Sequence, residues 1–405
     1  MSDAYLHGVE VVELTDGART ITVKATSIIG LVGTAPYADA AKFPLDTPVL
    51  VTSSAQAAFL KSGLPNGALI NAEGTLPQAY AAIFDQVNTP IVVIRVAAHA
   101  TPATQQTLVV GAADERTGVY GLLAAKAMTG AKPKILIAPG FTHQQTGNAA
   151  NPVAMALKAV AAKLRAVVVV DGPSDTDDAA LDKAALESGE RMYHVDPTVG
   201  VLDRTGVIAQ RPASAHVAGV IALSDQERGY WWSPSNRTIN GVVSIGRPIE
   251  FSLSDPTASS NQLNGGGVAV IVNEDGFRLW GNKTPSTGGD INFLSQRRCL
   301  DAVFDALEAD FRWAMDRPFS AQLLVDIAGN TELFQRGLKA KGAMLGGRVW
   351  LDEELNTEAT FRAGQFFVNV DGEAPAPLDR LTFRFSRETG YYAELISAAN
   401  QQLAA

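Results

Sequence analysis

The chain has 405 residues, 46% hydrophobic and 19% charged, an ordinary soluble composition but a length that exceeds one typical core. A net charge of -9 excludes a general binder of nucleic acid or anionic membrane, and the single cysteine, Cys299, excludes an intrachain disulfide. No apolar run approaches the roughly 20 residues that cross a bilayer, and Met1-Ser2-Asp3-Ala4 lacks the regions of a secretory leader, so the expectation is a chain made in a reducing cytoplasm without membrane insertion.

The first element, carried by Gly8, Val9, Val11, Val12 and Leu14, reads as a strand-like arm. Between about Thr26 and Pro197, short apolar runs alternate with helical patterns. The runs 28–32, 49–51, 91–94, 135–137 and 167–170 are mostly β-branched and apolar on both faces, as parallel strands under helices are. Thr75 with Pro77, and Asn151 with Pro152, announce helix starts whose apolar stripes are Leu76, Tyr80, Ile83, Phe84 and Val87, then Val153, Leu157, Val160 and Leu164. The Ala-, Thr- and Gln-rich stretch 97–118 interrupts this order and reads as a surface excursion. A helix is expected near 212–223, and the Ser/Gly-rich stretch 252–267 has the composition of a linker.

Beyond it, strands 268–272 and 277–280 flank Asn273-Glu274-Asp275-Gly276, a hairpin turn. A long helix over 292–316 follows, with Leu300, Val303, Phe304, Leu307 and Phe311 on its stripe and Pro318 ending it. Two shorter helices, near 321–328 and 332–341, precede a strand at 349–351 and an alternation of Phe366, Val368 and Val370. The last strand, 381–385, carries Phe383 and Phe385 on one side, and Tyr391, Tyr392, Leu395 and Ile396 form a further arm. The fold class expected is α/β: a three-layer parallel-sheet domain (21–255, excursion about 97–118) and a smaller α+β domain (268–390). The arms are 1–20 and 391–405.

Candidate chemistry is sparse. Gly30-Leu31-Val32-Gly33-Thr34 follows a strand but lacks both phosphate-loop spacings. Asp171 and Asp196 end parallel strands at the carboxyl edge, where doubly wound sheets bind ligands, yet no adjacent His, Lys or metal-ligand cluster supports a reaction. The acidic run 175–178 suits a helix start, the five histidines are scattered, and Cys299 reads as a buried structural thiol. No catalytic, cofactor or metal residues are assigned. Adjacent Trp231 and Trp232 cannot both face one core, so one suits a subunit contact. Arg336, Lys339, Lys341 and Arg348 form a basic cluster in an acidic protein, and Arg297, Arg298, Arg312 and Arg317 add charge along the long helix.

The residues 7–13 and Thr26-Ser27-Ile28-Ile29-Gly30-Leu31-Val32-Gly33-Thr34-Ala35 resemble the start of contractile phage tail sheath proteins. So do 273–284, the Arg297-Arg298 helix and Gly347-Arg348-Val349-Trp350. The resemblance spans nearly the whole chain and is closest to sheaths of temperate myophages and R-type tailocins. It implies a non-enzymatic protein of the virion tail, assembled in the host cytoplasm as stacked hexameric rings around a tail tube, with baseplate and tail terminator proteins as further partners and no cofactor. It also implies that the α/β domain is the outer domain and the smaller one, built from both chain ends, the inner domain against the tube. Extended terminal arms that insert into sheets of neighbouring copies, a receiving sheet formed by the 349 and 381–385 strands, and contraction that drives the tube through the cell envelope are implied as well. Tube contact is assigned to Arg336, Lys339 and Lys341, then to Arg297, Arg312 and Arg317. A cytosolic contractile secretion apparatus and an α/β enzyme using Asp171 and Asp196 are the alternatives.

Overall fold

The computed structural model describes residues 21–405 except 24, 66–69, 146, 204–205 and 290. The arm residues Gly8, Val9, Val11, Val12 and Leu14 lie outside the described residues. A nine-stranded sheet organises the first two thirds of the chain. Its strands are β1 (Ile29–Thr34), β2 (Pro48–Val51), β3 (Ile91–Val96), β4 (Ile135–Ile137), β5 (Val167–Asp171) and β6 (Met192–Asp196). After β7 (Val199–Leu202) and β8 (Ile208–Arg211) come β9 (Arg237–Thr238) and β10 (Val242–Ile245), then β11 (Val268–Asn273) and β12 (Phe277–Trp280). The large sheet runs β2-β3-β1-β4-β5-β6-β11-β12-β9, while β10-β7-β8 form a separate three-stranded sheet. Six central strands from β3 to β11 are parallel, and β2, β12 and β9 are antiparallel edges.

Period-two alternation divides each central strand between two cores. Ile29, Leu31, Ile91, Val93, Ile135, Ile137, Val167 and Val169 face one layer, filled by the helices Thr75–Phe84 and Ser214–Glu227. Val32, Val92, Ile94, Leu136, Val168 and Val170 face the other, filled chiefly by the helix Pro152–Leu164. That helix starts as its sequence directs: the Asn151 side chain accepts from the backbone N–H of Val153 and Ala154, at 2.8 and 3.0 Å. The Thr75 start is shifted by one residue. Gly74 caps the helix at φ 88°, where a Cβ would come within 2.4 Å of the Thr34 carbonyl, and Thr75 Oγ1 instead accepts from the Thr34 N–H.

Two expectations change here. The stretch 97–118 contains a helix, Pro102–Val110, whose Val109 is fully buried in the second core, so it is a packed element with an exposed side. The linker-like stretch separates no sheets: it contains the helix Ser259–Gly265 and delivers β11 alongside β6, in register Val268↔His194 to Val270↔Asp196. Polar Ser, Asn and Gly composition reflects a tight crossing, since a Cβ on Gly267 would lie 2.5 Å from Pro285 N. Strands placed by their sequence in the inner domain therefore extend the large sheet.

The rest of the chain builds a smaller core. The helix Leu294–Asp310 contributes Cys299, Ala302, Val303 and Ala306, which meet Phe334, Leu338, Ala343 and Met344. Phe334 and Leu338 belong to one continuous helix, Ala321–Ala340, where two had been expected. Gly329-Asn330 reads as a break, but one mid-helix glycine costs only about 1 kcal/mol, and buried Leu323, Phe334 and Leu338 hold both halves in place. β13 (Gly346–Trp350) pairs antiparallel with β14 (Asn369–Glu373), Val349 opposite Val370. Residues 381–385 form no strand, and Tyr391–Leu403 is a helix rather than an extended arm. Leu395 and Leu403 sit at helical spacing among alanines, so local propensity governs where no partner strand is present.

Candidate functional site

Asp171 and Asp196 end β5 and β6 at the carboxyl edge, where the sequence places them. Neither is poised for chemistry. Asp171 is buried and accepts three bonds: from the Ser214 N–H at 2.8 Å, the Ser214 hydroxyl at 2.7 Å and the Thr142 hydroxyl at 3.1 Å. It ties the loop after β4 to the start of the helix Ser214–Glu227. Burial raises its carboxyl pKa, with the Ser214 and Thr142 bonds opposing. Asp196 accepts from the Ser174 N–H at 2.7 Å and from Arg247 Nε at 2.9 Å, and Arg247 reaches on to Asp177 at 2.5 Å. Both carboxylates are consumed in holding the edge together.

A dense run of open apolar side chains lies in the C-terminal part. Leu381, Phe383 and Phe385 are 64%, 85% and 92% exposed, and Tyr391, Tyr392, Leu395 and Ile396 are all exposed on their helix. Such a density of open apolar side chains exceeds what the surface of a lone soluble chain usually carries. A groove of about 950 Å³ is lined by Leu307, Phe311, Leu323, Ile327, Phe366 and Val370 among others. Trp231 packs edge-on against Tyr230, while Trp232 stays half exposed beneath Arg228.

The basic candidates divide. Arg336, Lys339, Lys341 and Arg312 are exposed, Arg336 beside Glu332, and Arg317 is exposed over the Trp313 ring at 4.9 Å. Arg297 is 7% exposed, bonded to Asp301 at 2.9 Å and to Glu190 at 3.3 Å. Its assignment as a tube-facing residue is therefore corrected, because its charge is spent inside the molecule.

Arg297 belongs to an ionic seam that sequence reading missed. The helix Leu294–Asp310 buries its apolar face in the small core and turns its charged face to the amino edge of the large sheet. Arg298 pairs bidentately with Asp225, at 2.6 and 2.5 Å, and also reaches the Thr26 carbonyl at 3.1 Å. Asp301 receives Arg191, whose second contact is 2.9 Å, as well as Arg297. Asp305 receives Lys132 at 2.9 Å, Arg165 at 3.0 Å and Lys134, and Arg165 also contacts Glu308. Burial alone would raise the Asp305 pKa, but bonds from Lys134, Lys132 and Arg165 bring it below the usual carboxylate range. Burial lowers Lys134 to about 8, with Asp305 opposing. The signal was present: Asp301, Asp305 and Glu308 recur every three to four residues, and Lys132, Lys134, Arg165 and Arg191 each precede a strand.

An α/β scaffold with its edge carboxylates internally satisfied and its apolar C-terminal end open suits an assembly subunit. The central domain of phage tail sheath proteins matches residues 114–285, and the phage tail sheath C-terminal domain matches residues 286–387. The chain belongs to the phage tail sheath family, whose members are structural proteins of contractile tails. It is 36% identical over 401 residues to a prophage major tail sheath protein of Pseudomonas aeruginosa, covering 98% of this chain and all of the relative. It is 33% identical to the tail sheath protein of Escherichia phage P2, over 99% of this chain and all of that one. Among solved structures, the contracted helical sheath of the anti-feeding prophage superposes with a TM-score of 0.69 at 18% identity, covering 95% of this chain and 100% of that one. The contracted sheath of the PVC extracellular contractile injection system gives 0.68 at 17%, covering 96% and 100%. These two show the shared fold.

Proposed function

We propose that this sheath subunit stacks as hexameric rings around a tail tube, between a baseplate and a tail terminator, and shortens to drive the tube through a host cell envelope. Its own extremities, residues 1–20 and 391–405, complete neighbouring copies, and the stretch 381–385, expected in the receiving sheet but open and without strand here, joins the donated tail. The observation that carries this reading is an exposed apolar tail and an uncovered apolar groove on one chain, whose relatives are sheath proteins. Charge supports it. Arg380, Arg384 and Arg387 alternate with apolar residues in the tail, and β14 carries Asp371 and Glu373. A strand added beside β13 and β14 would gain about five backbone bonds at roughly 1 kcal/mol net each.

The tube contact is assigned to exposed Arg336, Lys339 and Lys341, with Arg312 and Arg317 second. The long state is kinetically trapped, and shortening brings more surface of each protomer into contact. Burying roughly 1,000 Å² more per protomer would release at most about 25 kcal/mol before ordering costs, so no nucleotide hydrolysis is required.

Removing residues 1–20 and 381–405 tests the reading. Negative-stain microscopy is expected to show soluble subunits and no tubes, with the α/β core folded by circular dichroism. Cylinders of normal width from the truncated chain would overturn it.

A further inference from the structure

The ionic seam has an unusual composition for a junction between two parts of one chain. Interfaces that only need to adhere are apolar at their centre. Here the centre of contact between the helix Leu294–Asp310 and the large sheet is charged, and its charges are buried. Arg297, Arg298, Asp301 and Asp305 are each under 10% exposed and the Asp225 side chain is 2% exposed, while Lys132 and Arg165 reach in from the rim. Charges in such surroundings tolerate one geometry well and others badly, because a shifted partner leaves an uncompensated ion out of water. An apolar contact can slide; a bidentate Arg298–Asp225 pair 2.5–2.6 Å long cannot.

The same helix carries the small core on its other face through Cys299, Ala302, Val303 and Ala306. It is therefore shared by both parts, and the turn of the chain into it is exposed at Thr287, Gly288 and Gly289. Covalent connection alone would leave the angle between the parts loose. Three acidic anchors fix it: Asp225 on the sheet side, and Asp301 and Asp305 on the helix. Each takes cations from the opposite side of the seam.

We propose that Arg298, Asp301 and Asp305 are positioning residues for contraction: they set the angle between the tail-bearing C-terminal part and the nine-stranded sheet, so that both turn together when neighbouring copies move. The seam acts as a torque coupling rather than an adhesive. The inference rests on the sheath function and is tested in two ways, one of which is independent of it.

The decisive variant is Asp305→Asn, which keeps shape and removes the charge that Lys132, Lys134 and Arg165 surround. In free full-length subunits, limited proteolysis at 287–289 is expected to quicken at least tenfold while circular dichroism stays unchanged. In purified tails carrying the variant, triggered contraction is expected to stop short of the wild-type final length. If Asp305→Asn does not fold, Lys132→Ala with Arg165→Ala, both partly exposed, takes its place with the same readouts. The exchange Asp225→Arg with Arg298→Asp should restore both properties relative to Arg298→Ala. A subunit with wild-type cleavage rate and wild-type contracted length overturns the coupling. Quickened cleavage with normal contraction retains a structural seam and overturns its role in the stroke. Altered contraction without altered cleavage also overturns it.

Discussion

His194 is buried on β6, facing Lys183, Glu187 and the more distant Lys158. Burial, reinforced by Lys183, lowers its pKa to about 3 from the ordinary 6.5. The unfolded chain takes up a proton near pH 6.5 that the folded chain refuses until about pH 3, so stability is lost as pH falls below 6.5. The loss from this residue amounts to about 2 kcal/mol by pH 5. Glu187 works the other way, since burial raises its pKa and lets the folded chain gain a proton as acid is added. In urea denaturation at pH 7 and pH 5, His194→Gln is expected to lose about 2 kcal/mol less than the wild type. Equal losses in the two proteins would contradict this assignment. Residue-scale reading of the sequence succeeded where side chains serve local backbone, as with Asn151. It failed where a charge finds a partner far along the chain: Arg297 is 107 residues from Glu190, and Arg298 is 73 from Asp225.

At the scale of elements, the parallel strands were legible because burial on both faces leaves an unbroken apolar run. The period-two split into two cores follows directly from it. Elements whose ends depend on packing were not legible. The helix Ala321–Ala340 passes through Gly329 because contacts at Leu323 and Phe334 outweigh one weak residue. A Cβ at Gly329 meets open space. Gly329→Ala should therefore stabilise the free subunit by about 0.5–1 kcal/mol, read as a raised urea midpoint with unchanged slope. A lowered midpoint would mean that the surroundings of this position are not as open as described. The tail shows the opposite failure. Residues 381–385 alternate as a strand does, yet alternation describes what a segment can pair with, and a lone chain supplies no ladder.

For the whole molecule, the boundary read from composition at 252–267 misplaced β11 and β12, because polar spacing marked a tight crossing as a linker. Family membership was legible from motifs that carry no chemistry, and the enzyme alternative faded once Asp171 and Asp196 were seen to be internally bonded. If shortening is driven by surface brought into contact, scanning calorimetry of triggered tails should record an exothermic step that scales with the number of subunits. A transition that is thermally silent at every temperature, with no change in heat capacity, would remove contact burial as the driving force. One consequence follows from finding the apolar tail and the apolar groove on the same polypeptide. If the proposed linkage of tail into groove holds, a row of such copies has an unfilled socket at one extremity and an unclaimed tail at the other. Its two extremities are chemically unlike, so whatever starts the row cannot also stop it.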